Sequence, residues 1–258
     1  MASGTSILLG KCPLDCLLTF PALLGLEAVL PMPPYRGVYR ITLLPATGGV
    51  PEPGGPGGST NVGDQSLRLK VYNGLRIPFP SEAAEILTML RNIEWGPQKR
   101  PHVPGKGLCL GASNCPRGPY VTKMTDAQIA LLTAINNVVH RYADTSTFKW
   151  SSIQINENTV AGKHKDSNNE GLSAIALLGE FTEGELTVHT VPPVVFNDRN
   201  TLLFFDGHVD HESAKYGGTE RYSFVIFYHK AAGILANDKR KFLTLIGFCL
   251  PDKGEVYP

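Results

Sequence analysis

The chain has 258 residues, 42% of them hydrophobic and 18% charged, with a net charge of +1, so length and composition allow one folded domain with an appendage and exclude a global field for nucleic acid or membrane. Five cysteines without regular spacing argue against a disulfide framework and fit a reducing compartment. With 27 Gly and 20 Pro, turns are frequent, which favours short strands over a helical bundle.

In chain order, the apolar stretch Cys16 to Met32 is broken by Pro21 and Glu27 and falls short of a membrane span. It also makes a poor secretory signal, and an organelle-targeting segment is the reading left open. Between Pro31 and Gly58, 14 of 28 residues are Pro or Gly, which predicts a linker without regular structure. Residues 1–63 are therefore an expected apolar leader and disordered linker, with a domain over 64–251 and a tail over 252–258. Its glycine run lacks the Lys of a phosphate loop. A helical half, 64–149, follows. One helix is expected to open at Ser81, with Ala83, Leu87, Leu90 and Ile93 on one side and a limit at Pro97. A second opens on the capping box Thr125 with Gln128 and runs with Ile129, Leu132, Ile135, Asn136 and Val139 to about Tyr142.

From Trp150 the pattern changes to short β-rich runs: Ser152 to Asn156, Ser173 to Leu178, Glu185 to Thr190, Thr201 to Phe205 and Tyr222 to Tyr228. These predict a sandwich or barrel over 150–230 with helices outside it, and a last helix from Asp238 to Ile246 stopped by Gly247. The fold class is α+β, mainly β.

The chemistry begins with His164-Lys165-Asp166, because residues i and i+2 of an extended segment share a face and can grip one ion. A second such pair, His208-Val209-Asp210, arises within the same chain, and position separates the two. A facial site for Fe(II) needs one further His from a later strand. His164 and Asp166 have His211 available, after enough chain for several strands to return to the same mouth. His208 has only His229, on a strand that must also pack the core. Arg221-Tyr222-Ser223 opens an apolar strand, with Arg221 and Ser223 on one face. A buried Arg requires an anion, and its planar fork suits a carboxylate. That carboxylate is either an internal Asp or Glu or a ligand.

In this order the residues resemble the signature of the Fe(II)- and 2-oxoglutarate-dependent dioxygenases. Asn156-x-Asn158, His164-x-Asp166-x-x-Asn169, Gly171-x-Ser173, Leu178-Gly179, Phe205-Asp206-Gly207 and Gly217-Gly218-Thr219-Glu220-Arg221-Tyr222-Ser223 are similar to the branch of the ten-eleven-translocation and J-binding-protein DNA base hydroxylases and their algal relatives. The likeness spans roughly 64–251 and is strongest in its second half. It implies a double-stranded β-helix of the jelly-roll kind. His164, Asp166 and His211 would bind Fe(II), Arg221 and Ser223 would hold the distal carboxylate of 2-oxoglutarate, O2 would be the oxidant, and ascorbate could support turnover. It implies further that Asn169 faces the target base, a 5-methylpyrimidine in DNA. A turn-capping Asn169 is the alternative. From Trp95 to Thr125 there is no acid, while Lys99, Arg100, Lys106, Arg117 and Lys123 occur with Trp95, His102 and Tyr120, as a loop that holds phosphates would have.

The other expectations are a monomer without membrane contact and a nuclear location if the substrate is chromosomal DNA. Rival readings are the same oxygenase chemistry on a protein side chain or small metabolite, and a non-catalytic β-helix binding module. Cys109 and Cys115 lack the second pair of a structural zinc site, no Gly-x-Ser-x-Gly elbow exists, and His140, His189 and His229 read as structural.

Overall fold

The computed structural model describes residues 28–31, 38–41, 68–96 and 105–255. The chain divides into two units, Met1–Asn61 and Val62–Pro258. In the first, β1 (Ala28–Pro31) pairs antiparallel with β2 (Val38–Ile41). Val38–Ile41 lies inside the stretch expected to hold no regular element, and corrects that expectation: a short β-rich run, Val-Tyr-Arg-Ile, sits between the Pro and Gly clusters.

The second unit is built on a seven-stranded antiparallel sheet in the order β3 (Arg76–Pro78), β11 (Thr201–Phe205), β7 (Asn169–Leu178), β14 (Tyr222–His229), β6 (Ser152–Glu157), β4 (Lys106–Cys115), β5 (Gly118–Val121). Facing it is a small sheet in the order β10 (Val194–Phe196), β9 (Leu186–Val188), β12 (His211–Ser213). An antiparallel bridge from His164 to His211 adds the His164 segment beside β12. A two-stranded ribbon joins β8 (Phe181–Glu183) to β13 (Tyr216–Gly218). Along the chain, β6, the His164 segment, β7, β9 with β10, β11, β12 and β14 alternate between the large and small sheets. That alternation is the jelly-roll, double-stranded β-helix topology.

Period-two patterning explains why the large sheet stays put. Ala174, Ala176, Leu178, Leu202, Phe204, Tyr222, Phe224 and Ile226 point to one side, where α1 (Pro80–Arg91) and α2 (Asp126–Tyr142) cover them. Their neighbours Ile175, Leu177, Leu203 and Phe205 point to the other and meet Leu186, Val188 and Phe196 of the small sheet. A one-residue slip would exchange these faces, so register is fixed on both.

α2 starts on the expected capping box, with Thr125 accepting from the Gln128 backbone and Gln128 from that of Thr125. Asn136, fully buried on α2, accepts from Trp150 Nε1 (2.8 Å) and donates to Ile246 O (2.7 Å), tying the helix to the sheet and to α3 (Asn237–Leu245). Gly247, at φ +93°, ends that last helix as expected. α1 starts one residue earlier than expected: Phe79 is its N-cap, Pro80 supplies the preset first turn, and Ile86 rather than Leu87 is buried.

The larger correction is β4–β5. Lys106–Cys115 and Gly118–Val121 are strands joined by a two-residue turn, whereas the sequence reading made this half helical and this stretch a loop. Leu108, Leu110 and Ala112 alternate with smaller residues and pair with β6 and β5. Among the described residues no helix is long and apolar enough to cross a membrane.

Candidate active site

The face of the large sheet turned away from the helices carries a polar row, and it opens into a cavity of about 150 Å³. Alternation along β6 and β14 sends Gln154, Asn156, Ser223, Val225 and Phe227 into this cavity, while Ile153, Ile155, Phe224 and Ile226 pack under the helices. His164, Asp166, His211 and Arg221 complete its wall.

The three predicted ligands converge. One donor atom each from His164, Asp166 and His211 lies within 4.8 Å of the others, and among the described residues this is the one group that could hold an ion in this way. The main chain sets the spacing of the histidines. His164 N donates to His211 O and His211 N to His164 O, both at 2.9 Å, and the rings stand 4.3 Å apart. Asp166 N donates to Gly207 O (2.8 Å), which draws the Asp166 carboxylate in beside them. His164 Nδ1 donates to Gly162 O (2.7 Å) and His211 Nδ1 to Val209 O (2.9 Å). Carbonyls only accept, so each Nδ1 carries a proton and Nε2 is the nitrogen each ring turns toward a metal. Nε2 of His164 is 3.8 Å from Asp166 Oδ1, and Nε2 of His211 is 4.0 Å from Asp166 Oδ2. Two imidazoles and one carboxylate on one face, with the other side open to a cavity, are a donor set suited to Fe(II) with three free positions.

Arg221 lies in the same cavity and is 3% exposed. Nη1 donates to Thr159 O (3.2 Å) and Nη2 to Gly184 O (2.8 Å), while Nε is buried without a partner. Among the described residues no carboxylate lies within ion-pair range of it, so the internal bridge left open by the sequence is absent there. The guanidinium is flanked by the rings of Phe181 (5.5 Å) and Tyr216 (5.8 Å). Burial pulls its pKa down, and Tyr216 opposes that fall. A cation held this way calls for an anion that none of the described residues supplies.

Beside it, Ser223 Oγ accepts from Asn156 Nδ2 (3.2 Å), which leaves the hydroxyl proton free to donate into the cavity. Asn158 Oδ1 accepts from Arg221 N (2.9 Å) and fixes the entry to β14. Gly184, at φ +76°, makes room for the guanidinium, since a Cβ there would sit 3.0 Å from Arg221 Nε.

Asn169 opens β7 and is 5% exposed. Its Nδ2 donates to Asp166 Oδ2 (3.0 Å) and Ser173 Oγ (3.2 Å). The second His-x-Asp takes no part: His208 bonds Asp206 Oδ1 (3.0 Å) and Asn169 O (3.2 Å), and Asp210 lies 3.8 Å from Lys163. The histidines read as structural have such partners, His140 with Gly247 O, His189 with Glu212, and His229 capping the 3-10 turn Lys230–Ile234. Sequence reasoning missed Thr159, Gly184, Phe181 and Tyr216, which act through backbone carbonyls, ring faces or the lack of a side chain.

No family model matches the chain, and no curated protein matches it. Among solved structures it is similar to an oxidoreductase of the 2OG-Fe(II) oxygenase family from Burkholderia pseudomallei, at 20% identity and a TM-score of 0.47 over 64% of this chain and 95% of that one. It is similar also to NgTET1 in complex with 5mC DNA (16%, 0.43, 60% and 70%) and to a Pseudomonas putida prolyl-4-hydroxylase (13%, 0.43, 62% and 94%).

Proposed function

We propose that the chain is an Fe(II)- and 2-oxoglutarate-dependent dioxygenase. The observation that carries this reading is one cavity holding both a converged His164, Asp166, His211 set and a buried guanidinium without a carboxylate partner among the described residues. When bound, the iron would supply O2 activation coupled to oxidative decarboxylation of the 2-oxoacid. The chain's own residues do the rest. Arg221 and Ser223 hold the distal carboxylate, Gly162 O and Val209 O keep the imidazoles in the ligating tautomer, and Ile175, Leu186, Phe205 and Val225 exclude water from the reacting end.

The substrate we propose is the methyl group of a pyrimidine base in DNA. A cavity of about 150 Å³ compares with engineered cavities that take one benzene, so beside the diacid a larger substrate must present a single group at the mouth. An extruded base does so. The β4–β5 hairpin supports this. β4 pairs with β6 only as far as Ser152, near the end of the sheet where Asn169 and His229 meet, and Ala112 to Val121 run on past it with Arg117 and Tyr120 and no acid. The motif likeness of Asn156 to Ser223 points the same way.

Incubation with Fe(II), ascorbate, 2-oxoglutarate and duplex DNA carrying 5-methylcytosine or thymine, followed by mass spectrometry of the nucleosides, tests both levels. Oxidised bases are expected. Consumption of 2-oxoglutarate without them refutes the DNA substrate and favours a side chain or metabolite. No consumption with any substrate refutes the enzyme.

A further inference from the structure

The side-chain amide of Asn169 has no donor left to offer a substrate. Nδ2 carries two protons, and two acceptors take them, Asp166 Oδ2 at 3.0 Å and Ser173 Oγ at 3.2 Å. The amide cannot be turned end for end, because its carbonyl oxygen would then face a carboxylate oxygen, which only accepts. Asp166 is enclosed on the same side by Gly207: a Cβ there would lie 3.1 Å from Asp166 Oδ2 and 3.3 Å from both Asp166 Cβ and Ser173 Oγ. Asn169 itself is held in place, 5% exposed, with its carbonyl bonded by His208 and its backbone in register with His229.

We infer that Asn169 is a positioning residue for Asp166, fixing the carboxylate through Oδ2 so that it presents Oδ1 to the metal as a single-oxygen ligand. This rests on the metal reading above. A carboxylate free to rotate could grip an ion with both oxygens and occupy a position that the 2-oxoacid or O2 needs. With Oδ2 bonded to the amide and backed by Gly207 and Ser173, that swing is blocked. The resemblance gives Asn169 a face toward the base, and the hydrogen bonds found here give it one toward the metal ligand.

The test uses Co(II) as a visible probe in place of iron, titrated into the full chain and followed by its d–d absorption, with His211→Ala as the control. Wild type is expected to bind one Co(II) with the weak bands of a six-coordinate site, and His211→Ala to lose it. Asn169→Ala is expected to weaken Co(II) binding about 10- to 100-fold, the usual cost of an outer partner of a metal ligand, and to change band intensity as the carboxylate changes its grip. Asn169→Ser, which keeps a donor, is expected to restore part of the affinity, and carries the test if the alanine variant does not fold. Unchanged Co(II) affinity and spectrum in Asn169→Ala overturn the inference, whether or not the KM for methylated DNA rises. Failure of wild type itself to bind Co(II) through His211 refutes instead the metal reading on which it depends.

Discussion

Replacing Arg221 with methionine removes the charge while keeping most of the volume. In the free protein two effects oppose each other. Losing a buried unpaired cation is stabilising by about 1–4 kcal/mol, while Thr159 O and Gly184 O each lose a donor at about 1–3 kcal/mol. The free variant should therefore unfold near the wild-type temperature. The ligand-bound proteins should differ strongly. Of five guanidinium N–H groups two are used within the chain, leaving three, the orphaned Nε–H among them, for a diacid. Truncating one member of such a buried pair costs about 2–5 kcal/mol, or roughly 30- to 5,000-fold in affinity for 2-oxoglutarate. Thermal unfolding with Mn(II) in place of iron reads this directly. At a hundred times its dissociation constant the diacid stabilises wild type by about 2.7 kcal/mol, a rise of roughly 5–10 °C for a domain of this size. Arg221→Met should keep at most about 0.9 kcal/mol of it at the same concentration, a rise of no more than roughly 2–3 °C, and pyruvate, lacking the distal carboxylate, should shift neither protein. An equal rise in the variant would refute the assignment of Arg221 to the diacid.

Asp166→Ala should abolish 2-oxoglutarate turnover, a loss beyond the roughly 10–100-fold typical of outer partners, and chelation of wild type should do the same until Fe(II) is restored. Asn136→Ala strands Trp150 Nε1 and Ile246 O, and urea unfolding should report a loss of about 2–4 kcal/mol with the m-value unchanged. Burial lowers the pKa of His229, whose Nδ1 accepts from Ala231 N. The unfolded chain therefore takes up this proton before the folded one does, and stability falls as pH drops below about 6.5, at no more than about 1.4 kcal/mol per pH unit from this group. Urea unfolding of His229→Asn should lose that part of the slope, and identical pH profiles would remove His229 from the account.

The convergence of the three proposed metal ligands was legible because a period of two places His164 beside Asp166, and because His211 follows a run, Thr201 to Phe205, that can only be a buried strand. Arg221 and Ser223 were legible by the same alternation, and the absence of a carboxylate partner among the described residues was not, since sequence order cannot tell which acid folds nearby. β4–β5 was missed because the stretch was read for its charge, as a phosphate-holding loop, although Leu108, Leu110 and Ala112, interleaved with glycines at 107 and 111, gave the alternation that the strand needed. Gly111, at φ +110°, shows the reason for one of these: a Cβ there would run into Ser151 O and lie 2.8 Å from Ser152 Cα, so the glycine permits close strand approach instead of breaking the strand. Asn169 lines the same cavity, but its bond to Asp166 depends on the turn between them, which no periodicity describes.

The reciprocal pair of main-chain bonds between His164 and His211 has an implication for redesign. The separation of these two positions is dictated by peptide groups, which are the same whatever side chains are attached. Exchanging either imidazole for a thiolate or a carboxylate should therefore vary the chemistry of the donor without relocating its anchor point, making 164 and 211 a ready-made scaffold for asking which ions a fixed two-point frame prefers.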